Sequence, residues 1–210
     1  MPSVSSDIAK DLLQIKAIKL SPKSPFTWAS GIKSPIYCDN RLLLSYPSIR
    51  NKVTDAFVGL SRQFAPFNCI AGVATAGIAH GALLAQTTKQ PFIYVRSKAK
   101  GHGRQNLIEG ELRPQSKVLV VEDLISTGGS AIQAVEALRA EGADVVGVIA
   151  IFSYGFDQTT AAFEAANCKF ATLSNYEALV EEAYLSKYIQ EEDKATLTAW
   201  RRNPMSWSPN

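Results

Sequence analysis

Apolar residues at Ile8, Leu12, Ile15 and Ile18 fall on one side of a helix, behind a polar Ser5-Ser6-Asp7 start. Ser21-Pro22-Lys23-Ser24-Pro25 closes that helix. The stretch 26–41 is too rich in Pro, Gly and Ser for another. It predicts short strands and turns that form a hood over the rest. Pro47 opens a second helix reaching about Phe64, with Ile49, Val53, Phe57 and Leu60 inward. The pattern then changes to short, unbroken apolar runs at 68–73, 91–96, 118–121 and 144–152. Such runs predict strands buried on both faces of a parallel sheet. Between them lie helical spacings, among them 131–140 with Ile132, Val135 and Leu138 on one face, stopped by Gly142. Helices at 159–166, 175–182 and 191–200, a short strand at 170–173 and a polar tail from Arg201 complete the chain. Alternating strands and helices predict an α/β fold, a doubly wound, mostly parallel sheet flanked by helices.

Composition narrows this little. The chain has 210 residues, 46% hydrophobic and 20% charged, which suits one globular domain over 1–210: an N-terminal helix and hood to about 45, then the core. A net charge of +3 is too small to argue for nucleic acid. Cys38, Cys69 and Cys168 show no C-x-x-C spacing and read as reduced thiols of a cytoplasmic protein. The N-terminus does not read as a signal peptide, and no apolar run is long enough to span a membrane.

The polar chemistry concentrates after the 118–121 run, in Glu122-Asp123-Leu124-Ile125-Ser126-Thr127-Gly128-Gly129-Ser130. Two glycines let the backbone turn tightly enough for several N–H groups to face one point. The helix that follows adds its positive end, which favours a phosphate. Ser126, Thr127 and Ser130 add hydroxyls. Glu122 and Asp123 would repel a phosphate but suit the hydroxyls of a ribose. Together they point to ribose 5-phosphate. The spacing matches neither a Walker A loop nor G-x-G-x-x-G.

Ala74-Thr75-Ala76-Gly77-Ile78 is a second small-residue turn after a strand. In a parallel sheet it ends on the same side as the first. Its N–H groups suit a pyrophosphate; a tight turn with close helix packing is an equally good reading. His80, on the helix after it, reads as a satisfied packing or surface residue. Arg96, Lys98, Lys100, His102 and Arg104 recur at every second position, and the stretch 97–110 contains glycines and no apolar periodicity. Extended, that stretch would point all five one way. A solvated basic loop would look the same. No His/Cys metal cluster is apparent.

The segment from Val120 to Ser130 resembles the 5-phosphoribosyl 1-diphosphate (PRPP) signature of type I phosphoribosyltransferases. Phe26-Thr-Trp-Ala-Ser-Gly31-Ile-Lys33-Ser34-Pro35-Ile-Tyr37-Cys38-Asp39 and Tyr94-Val-Arg96-Ser-Lys98-Ala-Lys100-Gly-His102-Gly resemble, in order and spacing, orotate phosphoribosyltransferases. The resemblance implies that family's doubly wound sheet with a small N-terminal hood. It also implies transfer of the phosphoribosyl group from PRPP to orotate in pyrimidine biosynthesis. Arg96, Lys100 and His102 would then bind PRPP beside Glu122–Ser130, Thr75 and Ala76. Lys100, His102 and Asp123 would serve catalysis. Tyr37, Cys38, Lys33 and Ser126 would hold orotate. Mg2+ would be carried mainly by PRPP and water, with no protein metal ligand. The resemblance also implies a homodimer whose basic loop covers the neighbouring site. Ala29 and the Ser153-Tyr154 region depart from the family's cations there, leaving Lys33 or helix-end N–H groups for the orotate carboxylate. The alternatives are a transferase for another base and a PRPP-sensing regulator on the same fold.

Overall fold

The computed structural model describes residues 3–28, 31–98 and 107–208. The first helix, α1 (Val4–Gln14), starts earlier than expected, because the Ser3 hydroxyl accepts the Ser6 N–H at 3.2 Å. It also ends earlier. Lys16 turns into left-handed backbone, φ 59°, and Ile18 enters β1 (Ile18–Leu20) instead of a further helical turn. Ile8, Leu12, Ile15 and Ile18 are all buried. Their spacing reported burial, and strand pairing decided the backbone of the last.

The hood is built as its composition predicts. β2 (Phe26–Thr27) pairs antiparallel with β3 (Lys33–Ser34), and β4 (Ile36–Cys38) pairs antiparallel with β1, setting Ile18 opposite Cys38. A short helix, Asn40–Ser45, follows, capped by the Asp39 carboxylate. Pro47 then opens α2 (Pro47–Ser61), which buries Val53 and Phe57 fully and runs into a short turn, Arg62–Phe64.

The central sheet holds β5 (Cys69–Val73), β6 (Phe92–Val95), β7 (Ile108–Glu109), β8 (Lys117–Ile125), β9 (Asp144–Ser153) and β10 (Phe170–Asn175). Their spatial order is β10-β9-β8-β5-β6-β7. All neighbours run parallel except the edge strand β7. The helices between and after them are α3 (Ala76–Thr88), α4 (Gly129–Ala140), α5 (Asp157–Ala165), α6 (Tyr176–Leu185) and α7 (Glu191–Arg202).

The unbroken apolar run of β8 follows from this burial. Leu119 and Val121 join the buried cluster of α1, α2, α3 and α6 on one face, where α3 lies directly on β8, while Val118 and Val120 join the cluster of α4 and Phe163 of α5 on the other. From β5 the chain steps outward to β6 and β7, then returns to lay β8 on the other side of β5. The switch point therefore lies between β5 and β8, where open α/β sheets offer a crevice.

Three expectations need correction. β8 does not stop at Val121; it runs through Ile125, held by β9 with Glu122 opposite Ala150 and Leu124 opposite Phe152. β7, too short for a periodic signal, lies in a stretch expected to be loop. Arg201 belongs to α7 rather than to a tail, and donates to Glu177 at 2.7 Å and to the Gly155 carbonyl at 3.1 Å.

Candidate active site

The crevice is built by close backbone packing. A β-carbon at Gly72 would meet the Gly77 carbonyl oxygen at 2.9 Å, and one at Gly77 would strike the Val121 carbonyl oxygen. Glycine at both positions presses the turn before α3 onto the ends of β5 and β8. Thr75 is exposed and Ala76 half-buried on that turn, beside the acid pair as strand order requires.

Glu122 lies in the sheet and is only 6% exposed; its neighbour Asp123 is half-buried. A Glu122 carboxylate oxygen accepts the Asp123 N–H at 2.9 Å. Burial, then hydrogen bonding to the Asp123 side chain and its charge, push the Glu122 carboxyl up to about 9. The pair thus holds a proton at neutral pH until something donates to it or neutralises it.

Beyond Ile125 the backbone turns through Ser126 and Thr127 to Gly128, whose φ of +86° favours glycine. The Thr159 hydroxyl, from α5, donates to the Ser126 carbonyl at 2.5 Å and anchors the loop. α4 then begins at Gly129. Thr127, Gly129 and Ser130 are exposed around a cavity of about 310 Å³, which Glu122, Leu124, Ile125 and Ser126 also line. A turn of free N–H groups at the start of a 12-residue helix is an anion nest.

A second cavity of about 300 Å³ opens beside it, lined by Thr27, Trp28, Tyr37, Cys38, Leu124, Ser126 and Tyr154. Leu124 and Ser126 line both cavities. Trp28 stacks on Tyr154 with ring centroids 5.9 Å apart, and its indole N–H donates to the Ile36 carbonyl at 3.2 Å. The rings of Trp28, Tyr37 and Tyr154 in its lining offer aromatic surface that suits a planar heterocycle. Lys33 donates to the Thr27 hydroxyl at 2.8 Å, which brings its charge to this slot. Thr27, Trp28 and Tyr154 were not singled out as binding residues from the sequence, since aromatic residues at strand ends read first as core.

Arg96 pairs with Glu109 across β6 and β7 at 3.2 Å. Periodicity could not foresee this, because β7 is only two residues long. His80 is neither at the surface nor satisfied. It is 1% exposed and neither ring nitrogen has a hydrogen-bond partner. One helical turn after Gly77, it shares the side of α3 that packs on β8. Burial draws its pKa below the usual histidine range, against the pull of the Asp123 charge. Lys98 is exposed; Lys100, His102, Arg104 and Ala29 lie outside the described residues. Among the described residues no three His, Cys, Asp or Glu side chains form a metal-binding group, and no helix is long and apolar enough to cross a membrane.

Sheet, turn and cavities define a class: an open α/β protein with a glycine-rich turn before a helix and an acid pair at its switch point. Residues 43–187 match the family model of the phosphoribosyl transferase domain. The chain is 54% identical to an orotate phosphoribosyltransferase of Bacteroides thetaiotaomicron, over 99% of this chain and 98% of the relative. It is 50% identical to one of Listeria innocua, over 98% and 99%. It also resembles the solved orotate phosphoribosyltransferase of Aeropyrum pernix, with TM-score 0.75 and 28% identity over 83% of this chain and 97% of that one. The chain belongs to the phosphoribosyltransferase family, in its orotate phosphoribosyltransferase branch.

Proposed function

We propose that this protein, as a single phosphoribosyltransferase domain, transfers the 5-phosphoribosyl group of PRPP to orotate. The products are orotidine 5'-monophosphate and pyrophosphate, in pyrimidine nucleotide biosynthesis. The observation that carries this reading is the pair of adjoining cavities that share Leu124 and Ser126. One is lined by Glu122 and the turn from Ser126 to Ser130, the other by Trp28, Tyr37 and Tyr154. A bond formed between a ribose carbon and a ring nitrogen would lie across their common wall.

In this reading the N–H groups and hydroxyls of Ser126–Ser130 hold the 5-phosphate. Glu122 and Asp123 accept the ribose hydroxyls. Their charge also balances the positive character that the ribose ring gains as its C1–O bond breaks. The turn at Thr75 and Ala76 offers N–H groups to the pyrophosphate. Arg96, Lys100 and His102 would offset its growing negative charge, and His102 would donate a proton or hydrogen bond to it. Tyr37, Cys38, Ser126 and Lys33 hold orotate, and Lys33 faces its carboxylate.

The acid pair fits a divalent ion that arrives with the substrate better than a protein-held one. It offers two crowded carboxyls and, among the described residues, no third ligand. Mg2+ on pyrophosphate and ribose oxygens would neutralise leaving-group charge. The protein would work in the cytoplasm as a homodimer, each basic loop covering the partner's site.

The test is pyrophosphate release with PRPP, Mg2+ and orotate, against hypoxanthine, adenine and uracil. Release should require orotate. Release with a purine and not orotate would refute the assignment of the slot.

A further inference from the structure

Asn40 is fully buried, yet its side chain makes a polar contact at each end. Its amide N–H donates to the Asp123 carbonyl at 2.8 Å, and its amide oxygen accepts the Cys38 thiol at 3.4 Å. The Asp123 N–H in turn donates to the Glu122 carboxylate. Hydrogen bonds on either side of the Asp123 Cα thus tie its backbone to a wall of the aromatic slot through Asn40 and to the Glu122 carboxylate. Among the described residues, this is the hood's hydrogen bond to β8. Asp123 is followed by Leu124, which lines both cavities. The amide serves both contacts at once, its nitrogen donating and its oxygen accepting, and leucine can bond to neither end.

We propose that Asn40 is a positioning residue that couples occupancy of the two cavities. A planar base held against Cys38 steadies the end of β8 that receives the ribose, and a bound ribose phosphate steadies the slot. Such coupling is reciprocal, since each ligand must alter the other's affinity by the same factor. The inference rests on the functional reading above, and its test is separable from the test of that reading.

Ribose 5-phosphate has no leaving group, so it can be bound together with orotate without turnover. Titration calorimetry would give its affinity with no orotate and with saturating orotate. In the wild-type protein, orotate should tighten ribose 5-phosphate by about fivefold or more, within the usual range for coupled sites. In Asn40→Leu that ratio should fall to about one, the value for uncoupled sites, while the orotate-free affinity changes little. Asn40→Ala is smaller than leucine and removes both the donor to Asp123 and the acceptor for Cys38. It should lose the coupling too, and it decides the matter if the leucine variant does not fold.

A purely structural role would weaken both ligands and lower the melting temperature while leaving the ratio intact. A folded variant with wild-type coupling overturns the proposal. So does a wild-type protein that binds the two ligands independently, whatever the variants do. If orotate neither binds nor supports pyrophosphate release, the functional reading falls, and this proposal with it.

Discussion

Gly77→Ala should separate damage to the site from damage to the fold. The added carbon would strike the Val121 carbonyl oxygen and sit 3.2 Å from the Glu122 Cα and 3.3 Å from the Val121 carbonyl carbon. All three are backbone atoms, so no side chain can swing away. Ordinary C···O contacts begin at about 3.3 Å, so α3 and the strand must part by about 1 Å. Overpacking of this kind costs about 1–3 kcal/mol, and alanine's better helix propensity returns about 1 kcal/mol. A net loss of up to about 2 kcal/mol lowers the melting temperature by up to roughly 8 °C at this chain length. The activity loss should be larger. The turn that would hold pyrophosphate moves relative to the acid pair, and misplacement by about 1 Å costs about a hundredfold. Gly59→Ala is the control, because a β-carbon there meets nothing within 4 Å. Differential scanning fluorimetry and initial rates of orotate-dependent pyrophosphate release measure both effects. A folded Gly77→Ala protein with turnover within about twofold of wild type would refute the claim that this contact sets the site.

Asp123→Asn keeps the shape of the site but removes a charge, and should lower turnover by roughly a hundredfold or more; near-normal rates in a folded variant would remove Asp123 from the chemistry. Excess EDTA should abolish transfer and added Mg2+ restore it with the melting temperature unchanged, whereas full activity in metal-free buffer would contradict the proposed role of the ion. The Glu122 carboxyl keeps its proton to about pH 9 when folded but loses it near the ordinary 4.5 when unfolded. The folded state therefore binds the extra proton between those values, and this group's contribution to stability is full below 4.5 and lost as pH rises towards 9. Melting curves of Glu122→Gln should decline less between pH 5 and 9 than those of wild type, and parallel declines would refute the buried proton. Lys100→Ala and Asp123→Asn subunits, each inactive alone, should regain about a quarter of wild-type activity when mixed and reassociated, since about half the dimers carry one intact site; no recovery after verified exchange would exclude a loop acting across subunits.

The sequence alone determined the sheet and the nest. Four unbroken apolar runs can be buried on both faces only in a parallel sheet covered by helices, and β5, β6, β8 and β9 lie at those runs. Glu122-Asp123 before a Ser/Thr/Gly turn carries its chemistry in neighbouring residues, so the turn and the acids beside it were legible without coordinates. Tertiary structure decided what depends on partners distant along the chain. Ile18 is a strand residue because Cys38 lies opposite it, and β8 extends to Ile125 because β9 continues beside it. Arg96 finds Glu109 across a strand too short to show a period. The aromatic slot needs Trp28 of the hood against Tyr154 after β9, and Asn40 meets Asp123 across 83 positions. His80 fits its helix pattern, yet its lack of any hydrogen-bond partner follows from what α3 packs against. Local chemistry can be read from neighbouring residues because the backbone brings them together in any fold. A slot, an ion pair or an orphaned imidazole depends on which distant segment packs there, and only the packed chain determines that.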